Sequence, residues 1–292
     1  MIRAKSGDDY FLQQMVATAF TGTVHSVFQH ALNIQSDGNG EIFTLATKAM
    51  DRAPNTLVID LDTFDHLDIH QYDRVLVRHN QLLIEEKLQI AIHTATRWQC
   101  QLPIYPLNRT SLRMNMSSVK QFIDLQGKGG GIKRNDSPVS EFEAETSRLL
   151  QQRTTLLYEE ILNQRLDRFQ AYAADLVGLG PGLTPSGDDF LVGLFAVIHL
   201  ENSPCSIYKP LCESVIKMIQ PLTNEISYTT LKKAAYGQVR ESICSFIHAI
   251  LYGTEAESIE ALRKVLAIGS SSGTDIALGL ISGLEANIKL GG

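Results

Sequence analysis

The stretch Gly178-Leu-Gly-Pro-Gly-Leu-Thr-Pro-Ser-Gly-Asp-Asp-Phe190 leads without a break into an apolar run at residues 191–200. Glycines at 178, 180, 182 and 187 allow backbone conformations that side chains forbid. Two prolines, the hydroxyls of Thr184 and Ser186 and the adjacent carboxylates Asp188 and Asp189 fill most of the rest. A plain connection between helices does not need that chemistry. A loop that brings its backbone up to a small polar or anionic ligand does. The run behind it is apolar all round, so it reads as a buried helix with the loop as its start.

Downstream of this helix, residues 209–219 predict another, ended by Pro221. Residues 227–252 predict a long one, with Leu231, Ala235, Val239, Ile243, Phe246 and Ile250 on one stripe and Gly253 as its stop. Residues 255–268 and 276–290 predict two more. Upstream, Phe142, Leu149, Leu156, Leu157 and Leu162 predict a long helix from about Ser137, broken once before Ala174. Residues 135–292 therefore read as a helical bundle domain.

Residues 1–134 read as β-rich instead. Short runs at 23–28, 41–45, 56–60, 74–78 and 82–85 are separated by turn signals. The run from Asp73 to Glu85 predicts a hairpin around His79-Asn80. The expectation is an antiparallel, barrel-like domain at 1–134 and an α+β fold overall. Gly127-Lys-Gly-Gly-Gly131 falls at the boundary. No strand precedes it and no Gly-Lys-Ser/Thr follows, so it reads as a flexible linker rather than a phosphate cradle.

A chain of 292 residues holds one large or two medium domains. A net charge of −6 argues against nucleic acid or an anionic membrane as the main partner. The longest apolar run is too short to span a bilayer, and the first residues lack the apolar segment of a signal peptide. Cys100, Cys205, Cys212 and Cys244 form no CxxC pair, which predicts reduced thiols and a cytoplasmic protein.

The loop has an echo. Ser186-Gly-Asp-Asp-Phe-Leu-Val-Gly-Leu194 is matched by Ser272-Gly-Thr-Asp-Ile-Ala-Leu-Gly-Leu280, both following Ser-Gly-x-Asp-apolar-x-x-Gly-Leu. One reading is a capping box, with each serine capping its helix and each aspartate reaching back to free N–H groups, and with Gly193 and Gly279 letting helices pack closely. The other is that the two starts converge on one cleft, where N–H groups and hydroxyls meet an anion and the carboxylates meet an amide, an ammonium or a divalent cation. His25 is a further candidate, as a general acid or base or as a hydrogen-bond donor to substrate. Its neighbour Ser26 should point to the opposite face of a strand, which argues against a nucleophile–base pair.

The pattern Gly-Leu-Gly-Pro-Gly-Leu-Thr-Pro-Ser-Gly-Asp-Asp-Phe-Leu-x-Gly, with Ser272-Gly-Thr-Asp275 and Gly22-Thr-Val-His-Ser-Val-Phe28, resembles a bacterial family long filed as a domain of unknown function. Its members occur with FdrA-like proteins in purine and allantoin catabolism clusters. One branch resembles the third subunit of oxamate carbamoyltransferase, which moves a carbamoyl group between carbamoyl phosphate and oxamate. The resemblance implies a transferase subunit with a small anionic substrate and FdrA-like and other subunits as partners. It carries no catalytic assignment. The side-chain chemistry suggests Asp188, Asp189 and His25 as catalytic groups. It suggests Gly180, Gly182, Thr184, Ser186, Gly187, Ser272, Gly273 and Asp275 as substrate-binding ones. One alternative is a non-catalytic subunit that binds a small acid or nucleotide and docks on an FdrA-like partner, which does the chemistry. Another is a Mg²⁺-dependent enzyme with Asp188, Asp189 and Asp275 as ligands.

Overall fold

The computed structural model describes residues 1–17, 20–135 and 140–291 and divides into two compact units, Met1–Cys100 and Gln101–Gly292. The first unit is a closed β-barrel. Its strands are β1 (Ile2–Asp8), β2 (Thr21–Val27), β3 (Ala31–Ser36), β4 (Ile42–Thr47), β5 (Thr56–Ile59), β6 (Arg74–Arg78), β7 (Gln81–Ile84) and β8 (Leu88–Ala91). A ninth strand, β9 (Thr96–Trp98), and one helix, α1 (Asp9–Ala17), complete it. The ring runs β5-β4-β3-β2-β6-β7-β8-β1 and closes through β1 against β5.

Period two explains the wall. In β6, Val75 and Val77 face the core while Arg74 and Arg78 stay in water. The expected hairpin is present: β6 and β7 pair antiparallel across His79 and Asn80, both with positive φ (51° and 61°). Two left-handed residues in a row give the turn whose twist matches the strands. The interior is packed with apolar side chains, Phe43 meeting Phe11 and Phe20 edge-on at 5.6 Å. Closure rests on β1, which pairs antiparallel with β5 and parallel with β8 and β9 at different points along its length. At its end the buried Asp8 accepts the Asn55 N–H (2.9 Å) and the Phe11 N–H (3.4 Å), tying the start of α1 to the approach to β5.

The second unit contains α2 (Thr110–Gln126), α3 (Glu141–Leu162), α4 (Leu166–Ala174), α5 (Ser186–Ile198), α6 (Lys209–Ile219), α7 (Glu225–Ala234), α8 (Glu241–Tyr252), α9 (Glu255–Leu266) and α10 (Ser272–Leu290). No helix among the described residues is long and apolar enough to cross a membrane. The expected start at Ser137 lies outside the described residues; α3 begins at Glu141 with the Ser140 hydroxyl capping the Glu143 N–H. The long helix expected at 227–252 is two helices. Gly237, at φ 72°, turns the chain between α7 and α8, where a Cβ would press on His199.

Two further differences concern residues 101–134. Helix α2 went unread in the sequence, because its apolar residues are diluted by polar ones. The glycine run after it is not a free linker. Lys128 N–H donates to Thr274 Oγ1 (2.8 Å), Ile132 N–H to Asp275 Oδ1 (2.9 Å), and the Gly131 carbonyl accepts from Ser147 Oγ (2.8 Å). The Lys133 ammonium bonds the carbonyls of Ile123, Asp124 and Gly127 and so closes the end of α2. The run is a strap fastened to the first turn of α10.

Every residue of α5 is buried, and α10 buries twelve of its positions. These two helices are the core of the unit, and the candidate site sits at their starts.

Candidate functional site

Helices α5 and α10 pack backbone to backbone. A Cβ on Gly193 would overlap the Ile276 carbonyl oxygen, and one on Gly279 would overlap the Phe190 carbonyl oxygen. Gly193 and Gly279 are equivalent in the echo, and so are Phe190 and Ile276. Gly283 meets Val197 one turn further on. The helices therefore run parallel, related by a local pseudo-two-fold, with both N-termini at the same end. The echo at 186–194 and 272–280 is the sequence trace of this symmetry.

The symmetry extends to the side chains, and it replaces the capping boxes that are one of the two sequence readings. The N-cap residues are Pro185 and Ser271, and neither makes a side-chain cap bond. Each serine instead serves the other helix. Ser272 hydrogen-bonds Asp189, and Ser186 lies against Asp275. Thr184 Oγ1 donates to Asp189 Oδ2 at 3.0 Å and stands 3.1 Å from Ser272 Oγ. Gly187 N–H goes to the Leu179 carbonyl and Gly273 N–H to the Ile268 carbonyl, both at 2.9 Å. Gly187 and Gly273 also lie against the carbonyls of Leu176 and Val265, where no Cβ fits. Gly180, at φ 115°, brings the loop against the Ser186 N–H where a side chain would not fit, and Gly182 holds φ 102°.

The three carboxylates differ in their surroundings. Asp188 accepts from the Gly178 N–H (2.7 Å), the Thr223 hydroxyl (2.5 Å) and the Ser227 hydroxyl (2.6 Å). Burial raises its pKa and these three donors oppose the shift. It ties the loop to the start of α7. The donors Thr223 and Ser227 escaped the sequence reading, since nothing in their local pattern marks them. Asp189 is only 4% exposed. Burial pushes its pKa up to about 7, against the pull of Ser272 and Thr184, and the nearby Asp275 and Asp188 charges add to the rise. Asp275 is pushed up by burial to about 6, with the Ile132 N–H and Ser186 favouring its charged form.

Here the pseudo-symmetry breaks. Although Ser186 lies close enough to favour the charged Asp275, neither Ser186 Oγ nor Asp275 Oδ2 makes a hydrogen bond of good geometry. Both residues are 1% exposed. In front of both atoms lies Gly131, where a Cβ would overlap the carboxylate. The echo equivalent of Thr184 is Ser270, which is exposed and leaves Asp275 without a second hydroxyl. A buried hydroxyl and a buried carboxylate oxygen left without good hydrogen bonds are uncommon in folded proteins, and a ligand N–H donated to the carboxylate is one remedy.

His25 belongs to the barrel unit, whereas the carboxylates belong to the helical one. Among the described residues no three His, Cys, Asp or Glu side chains form a group able to hold a metal ion.

A family model described as oxamate carbamoyltransferase subunit AllH matches residues 176–284, spanning both helix starts. A second, the AllH family N-terminal domain, matches residues 3–97, which is the barrel. The chain belongs to the AllH family. That membership carries a subunit role, in the company of other subunits of a carbamoyltransferase. The match over 176–284 begins just before the glycine loop and ends within α10, so the paired helices are the heart of the AllH model. No solved structure matches the chain.

Proposed function

We propose that this protein is a subunit of a cytoplasmic carbamoyltransferase of the oxamate type in purine and allantoin breakdown, and that the paired starts of α5 and α10 bind the amide-bearing acceptor. One observation carries the reading: the buried, unpartnered Ser186 Oγ and Asp275 Oδ2 beside Asp189. An ionised carboxylate oxygen only accepts, so the group that Asp275 Oδ2 lacks is a donor, while the Ser186 hydroxyl can both donate and accept. The NH₂ of an oxamate-like acid is such a donor, and two helix N-termini favour the acid's negative charge.

The Gly187 and Gly273 amides are already used by the fold. The hydroxyls of Thr184, Ser186 and Ser272, together with the loop at Gly180 and Gly182, are then the groups beside the acceptor and the phosphate of carbamoyl phosphate. Transfer in one step requires the acceptor nitrogen to lose a proton as it attacks the carbamoyl carbon and phosphate leaves. Asp189 or Asp275, with pKa values near neutral, suits that task at physiological pH. An FdrA-like partner would complete the enzyme.

The test is a carbamoyl-transfer assay with carbamoyl phosphate and oxamate, on this chain alone and with its partner subunits. Asp275→Asn should lower kcat/KM by about a hundredfold or more. Full activity in that variant would sink the assignment to this site.

A further inference from the structure

We propose that the barrel carries a second reactive centre, a nucleophilic serine, Ser26, with His25 as its general base, acting on small activated esters. It is independent of the carboxylate site and goes beyond the reading above. It rests on a local break in strand geometry. Neighbours on a regular strand point to opposite faces. Between Val24 and Ser26, however, the pairing of β2 with β3 slips: Val24 stands opposite Ile34, and Ser26 opposite Asn33. Two residues of β2 advance against one of β3, which is a β-bulge. The bulge overturns the expectation that His25 and Ser26 are kept apart, for His25 Nδ1 lies 3.2 Å from Ser26 Oγ.

The serine is held from behind. Thr44 Oγ1 donates to Asn33 Oδ1 at 2.8 Å, and Asn33 Nδ2 donates to Ser26 Oγ at 3.0 Å. Asn33 is only 5% exposed, so the chain is anchored in the barrel wall. With Ser26 Oγ accepting from Asn33 and His25 in the tautomer protonated at Nε2, the serine's own hydrogen is donated to His25 Nδ1. A hydroxyl bonded to an imidazole that is positioned to take its proton is the arrangement of an activated nucleophile. Ser26 and His25 are both half-buried, so the pair is within reach of a small molecule.

The step balances without a cofactor. The Ser26 oxygen attacks the ester carbonyl carbon while its proton passes to His25 Nδ1. The carbonyl–oxygen bond to the leaving group breaks, and His25 returns the proton to the leaving oxygen. The product is an acyl-serine.

The full-length chain is incubated with 4-nitrophenyl acetate, following nitrophenolate release and locating the acetyl group by peptide mass spectrometry. The expected result is one acetyl group on Ser26, abolished by Ser26→Ala and slowed about tenfold or more by His25→Gln. Thr44→Val, which removes the donor to Asn33, should slow it less. Native and urea-unfolded wild-type protein are compared as well, which keeps the test decisive if a variant fails to fold. Acetylation of Ser26 must fall to the rate of an ordinary serine in urea. Absence of acetyl on Ser26, an unchanged rate in folded His25→Gln, or equal rates in native and unfolded protein each overturn the proposal.

Discussion

The starts of α5 and α10 are built to one pattern and finished differently. At the Asp189 end, Ser272 and Thr184 both reach the carboxylate. At the Asp275 end, Ser186 and the Ile132 N–H attend it, one oxygen is left over, and a glycine lies where a side chain would be. Symmetry shows what the fold alone requires, since both halves need their glycines for the two helices to pack backbone to backbone. What differs between the halves is not required for packing. The departure at Ser186 and Asp275 is therefore where the proposed acceptor site is placed.

The largest effect should come from breaking the symmetry itself. Gly279→Ala and Gly193→Ala each place a methyl group against the facing helix's carbonyl oxygen. In an ordinary helix interior, Ala is favoured over Gly by roughly 1 kcal/mol. Here the clash must separate two fully buried helices, at a cost of about 4 kcal/mol or more. Both variants should show a collapse in Tm or in soluble yield, and to similar extents. If either variant matches the wild type in thermal unfolding, the helices do not touch backbone to backbone.

The same comparison shows what the sequence could disclose. The echo was legible, and so was the pairing of two helix starts, because the residues that make it lie in two short segments. Of its two readings, two separate capping boxes or two starts that converge, the structure replaces the capping boxes with crossed serines. A serine three residues before a carboxylate looks like a local cap, and only the other helix shows that Ser186 serves Asp275 and Ser272 serves Asp189. The barrel followed a similar course. Alternation revealed β2, β4, β5, β6 and β7, but not closure, which depends on β1 meeting β5, β8 and β9 across long stretches of chain. Nor could alternation reveal the bulge at His25, since a bulge is a slip of one strand against another. The strap at 127–131 was illegible for the same reason: its glycines suit a linker until Thr274 and Asp275 accept from the N–H groups of Lys128 and Ile132.

Of intermediate size is the contrast between the two crossed serines. Ser186→Ala removes one of the two unpartnered atoms and should lower kcat/KM for carbamoyl transfer by about a hundredfold, with little change in Tm. Ser272→Ala removes a hydrogen bond the fold already uses. It should lower stability by about 1 kcal/mol and lower kcat/KM less than Ser186→Ala does, by about tenfold. Kinetics and thermal melts on the two variants decide the matter. Equal kinetic losses would mean that the two halves contribute alike and that the asymmetry has no functional meaning.

The smallest effect is one of proton linkage at the better-satisfied half. Asp189 titrates at about 7 in the folded protein because it is buried, against roughly 3.9 in an unfolded chain. Between those values the folded state keeps a proton that the unfolded state has lost, so stability falls as pH rises through the window. Asn at this position has no proton to lose. Relative to the wild type, Asp189→Asn should gain stability from pH 5 to pH 7.5, by about 1–2 kcal/mol once coupling to Asp275 is allowed for. For a unit of this size that is a relative Tm gain of about 2–8 °C. Asp275 keeps its own titration near 6 in both proteins, so the wild-type trend is reduced rather than abolished. A Tm difference that stays constant over this range would mean that Asp189 is ionised throughout. The buried carboxylate would then act as a fixed charge and could not serve as the proton acceptor.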